Sequence, residues 1–302
     1  MYFDIQVNGA YGTDFNDDQL SPEAFRSVSE RLYDSGVRRF FPTIITAPID
    51  TICNRVNRLA NWIGGDGWLR EMVRGIHVEG PFISPKAGYR GTHPDTAIQS
   101  ASLDTTKRIV DAGQGLVRLV TLAPEVDESC QSIDWLSRNG IVVFAGHTDA
   151  SLDCLKRALD HGLKGFTHLG NGCAMEVHRH DNIVNRVLAL KEKLTVSVIA
   201  DGVHVPLWLL RSWVEILGAD RMIVTSDAMS AAGMPPGEYL ISGQPIVVDS
   251  DRRTHHRDHH YLAGSASLMS DMESIAESWL SGFEGQRRQL FFDTAANLFD
   301  TV

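Results

Sequence analysis

The sequence contains no long hydrophobic run, few cysteines and no excess of basic charge. No apolar run approaches the roughly 18 residues that a membrane-spanning helix requires, so we expect no membrane partner. Residues 1–20 contain four aspartates and no lysine or arginine, which is not the pattern of a secretory signal peptide. The 302-residue chain has 28 basic and 38 acidic residues, a formal net charge of −10. This balance argues against nucleic acid as a partner.

The four cysteines are scattered, with no short spacing between any two: Cys53, Cys130, Cys154 and Cys173. A disulfide framework or a thiolate metal site usually places cysteines in close, repeated spacings. We therefore expect reduced thiols and a cytoplasmic location.

Short apolar runs alternate with amphipathic stretches along most of the chain. The strand-like runs are 3–7, 38–46, 71–78, 116–122, 140–146, 165–169, 194–200 and 221–226. Of the helix-like stretches between them, 21–36 and 149–162 begin with polar capping residues and end at glycine. Eight such alternations predict an α/β fold, a (β/α)8 TIM-type barrel. The competing doubly wound sheet usually carries GxGxxG after its first strand, and here that strand leads to GAYGTDF.

The stretch GIHVEGPF, residues 75–82, places His77 and Glu79 on the same face of a predicted strand. A barrel strand has no wet face, so both side chains would point into the protein. An unpaired buried charge is costly. A partner for Glu79, such as a cation, is therefore expected.

Polar residues collect where the predicted strands end, which is the edge at which barrel enzymes place their catalytic groups. They are Gln6, Asn8, Glu79, His147, His168, Asp201, His204 and Asp227. Taken singly, Asp201 suits a turn, Asp227 can cap a helix, and a histidine after a strand is usually structural. Their joint occurrence instead indicates a divalent metal site with an acid/base carboxylate beside it.

Seven segments in order carry a family resemblance: HVEGPFISPKAGYRGTHP, LAPE, AGHTDA, FTHLGN, ADGVHV, TSDAMSAAG and LAGS. Over about residues 3 to 300 they resemble the motifs of the N-acetylglucosamine-6-phosphate deacetylases, an amidohydrolase family. The resemblance implies metal-dependent deacetylation of N-acetylglucosamine 6-phosphate, with a metal-bound water as nucleophile. The products would be glucosamine 6-phosphate and acetate.

The resemblance also implies catalytic roles for particular residues. Glu79, His147 and His168 match the metal ligands. Asp227 matches the carboxylate that takes a proton from the water and passes it to the leaving amine. His204 matches the group that polarises the acetamide carbonyl.

Substrate-binding residues follow from the same resemblance. His93 and Asn171 match sugar- or phosphate-contacting positions, and backbone N–H groups near Asn171 and Gly172 would add donors. Arg179 resembles an arginine that reaches the phosphate of a neighbouring subunit's substrate. The surrounding segment, LGNGCAMEVHRHDN, departs from the family pattern, so this last match depends on the alignment.

The first strand reads Gln6-Val7-Asn8 where many amidohydrolases carry His-x-His and a second metal. Amides are weak ligands for transition metals, so we expect one divalent ion per chain. Zinc is the first expectation, with iron, cobalt or manganese as alternatives. Gln6, Asn8 and His77 are expected around the metal ligands, without binding the metal.

We expect residues 1–302 to form a single hydrolase barrel domain without the small β-sandwich that family members usually carry. A homodimer is expected to cover the surface this leaves open. The histidine-rich run THHRDHH, residues 254–260, is predicted to be a solvated loop.

Other functions stay open. The chain can be a deacylase of another N-acyl amino sugar or of an N-acyl amino acid, or a catalytically silent barrel that binds sugar phosphates. Retention of Glu79, His147, His168 and Asp227 counts against the silent barrel.

Overall fold

The computed structural model describes residues 1–241, 243–256 and 262–300. Its strands are β1 (Tyr2–Val7), β2 (Gly9–Ala10), β3 (Thr13–Asp14), β4 (Val37–Ile45), β5 (Ile76–Glu79), β6 (Val117–Leu122), β7 (Val142–Ala145), β8 (Gly165–Phe166), β9 (Thr195–Ile199), β10 (Met222–Thr225), β11 (Gly237–Ile241), β12 (Gln244–Val248) and β13 (Thr254–His256).

The α-helices are α1 (Pro22–Asp34), α2 (Ile49–Gly65), α3 (Gly67–Met72), α4 (Leu103–Ala112), α5 (Gln131–Arg138), α6 (Leu152–Asp160), α7 (Ile183–Ala189), α8 (Leu207–Leu217), α9 (Met269–Ser274), α10 (Glu277–Leu280) and α11 (Thr294–Phe299). Short 3-10 turns span Asp95–Ala97, Pro124–Val126, Ala219–Arg221 and Glu284–Gln286. A π-helical turn, Gln289–Asp293, leads into α11.

Eight parallel strands form the central sheet in the order β1-β4-β5-β6-β7-β8-β9-β10. At the seam between β1 and β10, a parallel bridge joins Val7 to Ala228. The buried carboxylate of Asp4 also accepts hydrogen bonds from Thr225 Oγ1 at 2.7 Å and from the Ser226 N–H at 3.0 Å. The sheet is therefore a nearly closed barrel, and the predicted fold class is confirmed.

Local sequence signals explain most of the element boundaries. Ser21 Oγ accepts from the Ala24 N–H at the start of α1, and Ser151 Oγ does the same for Cys154 at the start of α6. The predicted strand at 71–78 is wrong in its first half. Asp66 accepts from two backbone N–H groups and starts α3, so β5 begins only at Ile76.

Aromatic and aliphatic side chains fill the barrel interior and close one end of it. Phe3, Phe41 and Phe144 from the strands form one buried cluster with Phe292 and Phe299 from the C-terminal helical segment. At this end Arg39, near the start of β4, also pairs with Asp300, with Nη1–Oδ2 at 2.7 Å. Because the C-terminal segment covers the amino ends of the strands, the carboxyl ends remain for a site.

Strands β11, β12 and β13 form a separate antiparallel sheet, and β2 pairs with β3. Strand β13 is formed by Thr254, His255 and His256, so the predicted loop is wrong for these three residues. His259 and His260 of the same run lie outside the described residues. Among the helices described, none is both long enough and apolar enough to cross a bilayer.

Candidate metal centre

The carboxyl ends of β5, β7 and β8 bring Glu79, His147 and His168 together. Glu79 is the last residue of β5, and each histidine follows its strand by two residues. His147 and His168 have left-handed backbone conformations, with φ of 50° and 36°. Such conformations are uncommon for residues other than glycine and cluster at functional sites. All three side chains are buried.

The three ligand atoms form a nearly equilateral triangle. Glu79 Oε1 lies 3.2 Å from His147 Nε2 and 3.0 Å from His168 Nε2, and the two nitrogens are 3.2 Å apart. The centre of such a triangle is about 1.8 Å from each atom, close to the roughly 2.0–2.2 Å at which histidine and carboxylate ligands hold zinc. The residues present therefore fit a divalent cation.

Hydrogen bonding supports this interpretation for His147. Its Nδ1 donates to the Tyr89 carbonyl at 2.8 Å, so in the neutral ring, the form that binds metals, Nε2 carries the lone pair and faces Glu79. A lone pair and a carboxylate repel each other unless a cation lies between them. For His168, no described group bonds to Nδ1.

Gln6 and Asn8 contact carboxylates at the site. Gln6 Nε2 donates to Glu79 Oε2 at 3.0 Å, and Asn8 Nδ2 donates to Asp227 Oδ1 at 2.7 Å. Both amides therefore hold a carboxylate oxygen in a fixed place, as expected of groups that surround metal ligands.

His77 lies deeper in the barrel. Its Nε2 is 2.8 Å from Thr121 Oγ1, and its Nδ1 is 3.4 Å from Thr43 Oγ1. Burial lowers the pKa of His77 to about 4, so the ring is neutral at pH 7. His77 thus connects barrel threonines and is hydrogen-bonded to none of the three ligands.

Asp227 follows β10 and is also in a left-handed conformation, with φ of 47°. Burial raises the pKa of Asp227 to about 6, and the negative charge of Glu79 adds to the shift. A carboxyl group with a pKa near neutrality can both take up and release a proton during a reaction.

Asp201 and His204 form a hydrogen-bonded pair at the end of β9. His204 Nδ1 donates to Asp201 Oδ2 at 2.7 Å, and Ser265 Oγ donates to the same oxygen at 3.1 Å. The other oxygen accepts from the N–H groups of Val203 and His204. Burial opposes ionisation of Asp201, but His204 and these donors lower its pKa. Asp201 is therefore more than a turn residue, because it orients His204. The sequence signal for this role is the spacing of three residues between Asp201 and His204.

The three candidate metal ligands, His204 and Asp227 all line one cavity of about 340 Å³. Its lining includes Asn8, Glu79, Thr92, His93, His147, His168, Asn171, Gly172, His204, Asp227, Ile241, Arg253, Leu262 and Gly264. Two buried polar atoms, Asn8 Oδ1 and Asn171 Nδ2, have no hydrogen-bond partner among the described residues. An acceptor and a donor are thus left available to a ligand.

Of the residues predicted to bind substrate, His93, Asn171 and Gly172 line this cavity, whereas Arg179 is exposed and is not among the lining residues that the structure describes. The His93 ring lies 4.5 Å from that of His147, and its Nδ1 is 2.7 Å from Thr46 Oγ1. Burial lowers the pKa of His93 to about 3, so it is neutral. Arg253, which also lines the cavity, was missed by sequence reasoning.

Comparisons with known proteins agree with this geometry. The chain is 31% identical over 291 residues to the N-acetylglucosamine-6-phosphate deacetylase of Bacillus subtilis (strain 168), covering 96% of this chain and 68% of that protein. It is also 31% identical over 247 residues to the N-acetylgalactosamine-6-phosphate deacetylase of Escherichia coli O157:H7, covering 81% of this chain and 63% of that protein. The chain thus spans about two thirds of the length of these relatives. No family model matches it.

A solved structure is similar over nearly the whole chain. It is an N-acetyl-D-glucosamine-6-phosphate deacetylase mutant from Mycobacterium smegmatis in complex with N-acetyl-D-glucosamine 6-phosphate. The TM-score is 0.89 at 26% identity, with 99% of this chain and 77% of that chain covered.

Fold and site together define a barrel of the amidohydrolase type, with three residues at the carboxyl ends of its strands whose geometry fits a divalent cation. Within that class, the chain belongs to the N-acetylglucosamine-6-phosphate deacetylase family. The resemblance stated from the sequence motifs is confirmed.

Proposed function

We propose that the chain hydrolyses the N-acetyl group of N-acetylglucosamine 6-phosphate, giving glucosamine 6-phosphate and acetate. The observation that carries this proposal is the Glu79, His147 and His168 triangle in one cavity with Asp227. The names of the relatives supply the substrate class.

Glu79, His147 and His168 would hold one divalent ion, with zinc the first expectation. When bound, such an ion lowers the pKa of a coordinated water to about 7 and so supplies a nucleophile at neutral pH. Gln6 holds the second oxygen of Glu79, which leaves Oε1 directed at the histidines. The amides of Gln6 and Asn8 are weak ligands, which favours a single ion.

The chain's own residues would handle the proton transfers. Asp227 accepts a proton from the attacking water and delivers it to the amide nitrogen as the carbon–nitrogen bond breaks. Asn8 fixes Asp227 Oδ1, so the second carboxylate oxygen is left for the proton. Water adds to the acetyl carbon, the carbon–nitrogen bond breaks, and the nitrogen takes the proton from Asp227. The products are the neutral amine and acetic acid, which releases its proton to solvent to become acetate.

His204 would donate to the acetamide oxygen as negative charge develops there. Asp201 accepts from Nδ1, so donation from Nε2 uses the imidazolium form of His204, with the Asp201 carboxylate as its counter-ion. His93, whose ring lies against that of His147, would contact the substrate together with Asn171 and the backbone near Gly172.

A homodimer is part of the proposal. Large apolar side chains are exposed on α8 and in the segment that contains Arg179, with Trp208 at 70% and Met175 at 85% exposure. Large exposed apolar side chains are candidates for burial against a partner. A second copy covering this surface would allow Arg179 to approach the partner's cavity.

The domain organisation and location are also proposals. We propose that residues 1–302 act as one hydrolase domain in the cytoplasm. The four free cysteines support a reducing compartment.

N-Acetylgalactosamine 6-phosphate is the second candidate substrate, because a relative at the same 31% identity is named for it. The two sugars differ only in the configuration at one hydroxyl-bearing carbon. N-acyl amino acids are a more distant alternative.

Acetate release from each of these compounds by zinc-loaded protein would test the proposal. We expect turnover of an N-acetylhexosamine 6-phosphate that is lost on chelation and restored by zinc. Absence of acetate release from both sugar phosphates, with the metal bound at one equivalent, would refute the deacetylase proposal.

A further inference from the structure

We propose that Arg253 binds the phosphate of the substrate within a single chain. The inference rests on the proposed function and adds a specificity-determining residue to it. Of the described residues that line the cavity, Arg253 is the one lysine or arginine. Arg179, for which sequence resemblance implied this role, is absent from that lining and would need a partner copy.

The backbone around Arg253 is held in place by a turn between β12 and β13. Asp249 Oδ1 accepts from the N–H groups of Asp251 and Arg253, both at 2.9 Å, and the Asp249 N–H donates to the Arg253 carbonyl at 3.1 Å. Immediately after the turn, Thr254 pairs with Val248 in the sheet. A fixed backbone lowers the entropy that a guanidinium loses on binding an anion.

The adjacent Arg252 ties the same turn to the rest of the protein. Its Nη2 donates to the Ala266 carbonyl at 2.6 Å and lies 3.4 Å from Asp271 Oδ2. The two neighbouring arginines therefore differ in role: Arg252 is used in anchoring the turn, and Arg253 faces the cavity.

The wall that carries Arg253 is connected directly to the catalytic end of the cavity. The Ala263 N–H donates to the Thr254 carbonyl at 3.1 Å, and the Ser265 N–H donates to the Asp227 carbonyl at 2.9 Å. On the other side, Gln244 Nε2 donates to the Thr92 carbonyl at 3.3 Å, next to His93. Arg253 is thus held in one framework with the reacting groups.

The chemistry of the substrate matches this placement. In a hexosamine 6-phosphate the acetamide and the phosphate lie on opposite sides of the sugar ring. With the acetamide at the buried triangle, the phosphate would lie away from the candidate metal ligands, and Arg253 is an exposed residue of the cavity lining that could meet it. A planar guanidinium offers two parallel donors to phosphate oxygens.

The test compares wild type, Arg253→Ala, Arg253→Lys, Arg179→Ala and a distant charge control, Arg138→Ala. Arg138 is a highly exposed residue on α5 that pairs with Asp134 on the same helix. The measurements on zinc-loaded protein are kcat/KM for N-acetylglucosamine 6-phosphate and N-acetylglucosamine, and calorimetric Kd values for glucosamine 6-phosphate and glucosamine.

For Arg253→Ala we expect kcat/KM for the phosphorylated sugar to fall about tenfold or more, because an exposed guanidinium is partly screened by water. The value for N-acetylglucosamine should stay within about twofold of wild type, and Arg253→Lys should recover part of the loss. Arg138→Ala should match wild type on both sugars.

Equal loss on both sugars, or no loss, would overturn the inference. The inference would also be overturned if Arg179→Ala lost the preference for the phosphorylated sugar while Arg253→Ala kept it. That result would assign the phosphate-binding cation to a partner copy. Failure of the proposed function is a separate result, namely a wild type that releases no acetate. In that case the Kd for glucosamine 6-phosphate provides the test. Binding about tenfold weaker in Arg253→Ala than in wild type would support a phosphate subsite at Arg253. Unchanged binding in Arg253→Ala, or a wild type that binds glucosamine 6-phosphate no better than glucosamine, would refute it.

Discussion

Replacement of Gly172 by alanine tests the metal centre without changing a ligand. Gly172 has φ of +59°, and a Cβ atom there would lie 2.9 Å from His147 Nδ1 and 3.1 Å from His168 Cε1. Both contacts are closer than carbon normally approaches, so one or both rings must move. His147 would then lose its 2.8 Å bond to the Tyr89 carbonyl, which fixes its tautomer.

Two separable effects are expected from Gly172→Ala. The left-handed backbone costs about 1–2 kcal/mol of folding stability for an L-residue. Displacement of the two ligand rings should weaken zinc binding about 10- to 100-fold, the range seen when groups that orient metal ligands are lost.

Gly115→Ala is the matched control, because Gly115 has φ of +84° and a Cβ there would meet nothing within 4 Å. It should lose folding stability but keep the zinc affinity of wild type. Zinc affinity is measured by competition with a chromophoric chelator, and folding stability by urea denaturation of the metal-free proteins. Wild-type zinc affinity in Gly172→Ala would refute the assignment of His147 and His168 as ligands.

Other predictions concern stoichiometry, chemistry and assembly. Elemental analysis of protein prepared without chelator should give about one metal equivalent per chain; two tightly held equivalents would contradict the single-ion site. Asp227→Asn should keep its metal but lose about 10²–10⁴-fold in kcat, and near-wild-type turnover would remove it from the mechanism. Asp201→Asn should lower kcat about tenfold or more by releasing His204, with KM for the sugar phosphate nearly unchanged; an unaltered kcat would show that the pair is structural. Light scattering should give a dimer of roughly twice 33.4 kDa, and Trp208→Asp should convert it to monomer; a wild-type monomer at micromolar concentration would contradict the dimer.

Local sequence patterns located the barrel strands and the rim that carries the candidate metal ligands. Each strand carries its own apolar run, so all eight could be located from local pattern, even though β8 is reduced to Gly165–Phe166. Glu79, His147 and His168 could be placed at one rim because the carboxyl ends of parallel barrel strands meet there, and the family resemblance then implied that these three are the metal ligands. The helix caps at Ser21 and Ser151 could also be predicted, because each serine bonds to a backbone N–H only three residues further along the chain.

Tertiary structure alone decided the features that depend on contacts between distant segments. The position of Arg253 depends on a turn anchored by Arg252 to the Ala266 carbonyl, and no periodicity near residue 253 reports that contact. The exposure of Arg179 depends on how the segment after β8 folds over the rim. Hydrophobic periodicity reports which face of an element is buried, whereas the side chains that share a cavity are set by the closure of the barrel and the loops packed upon it.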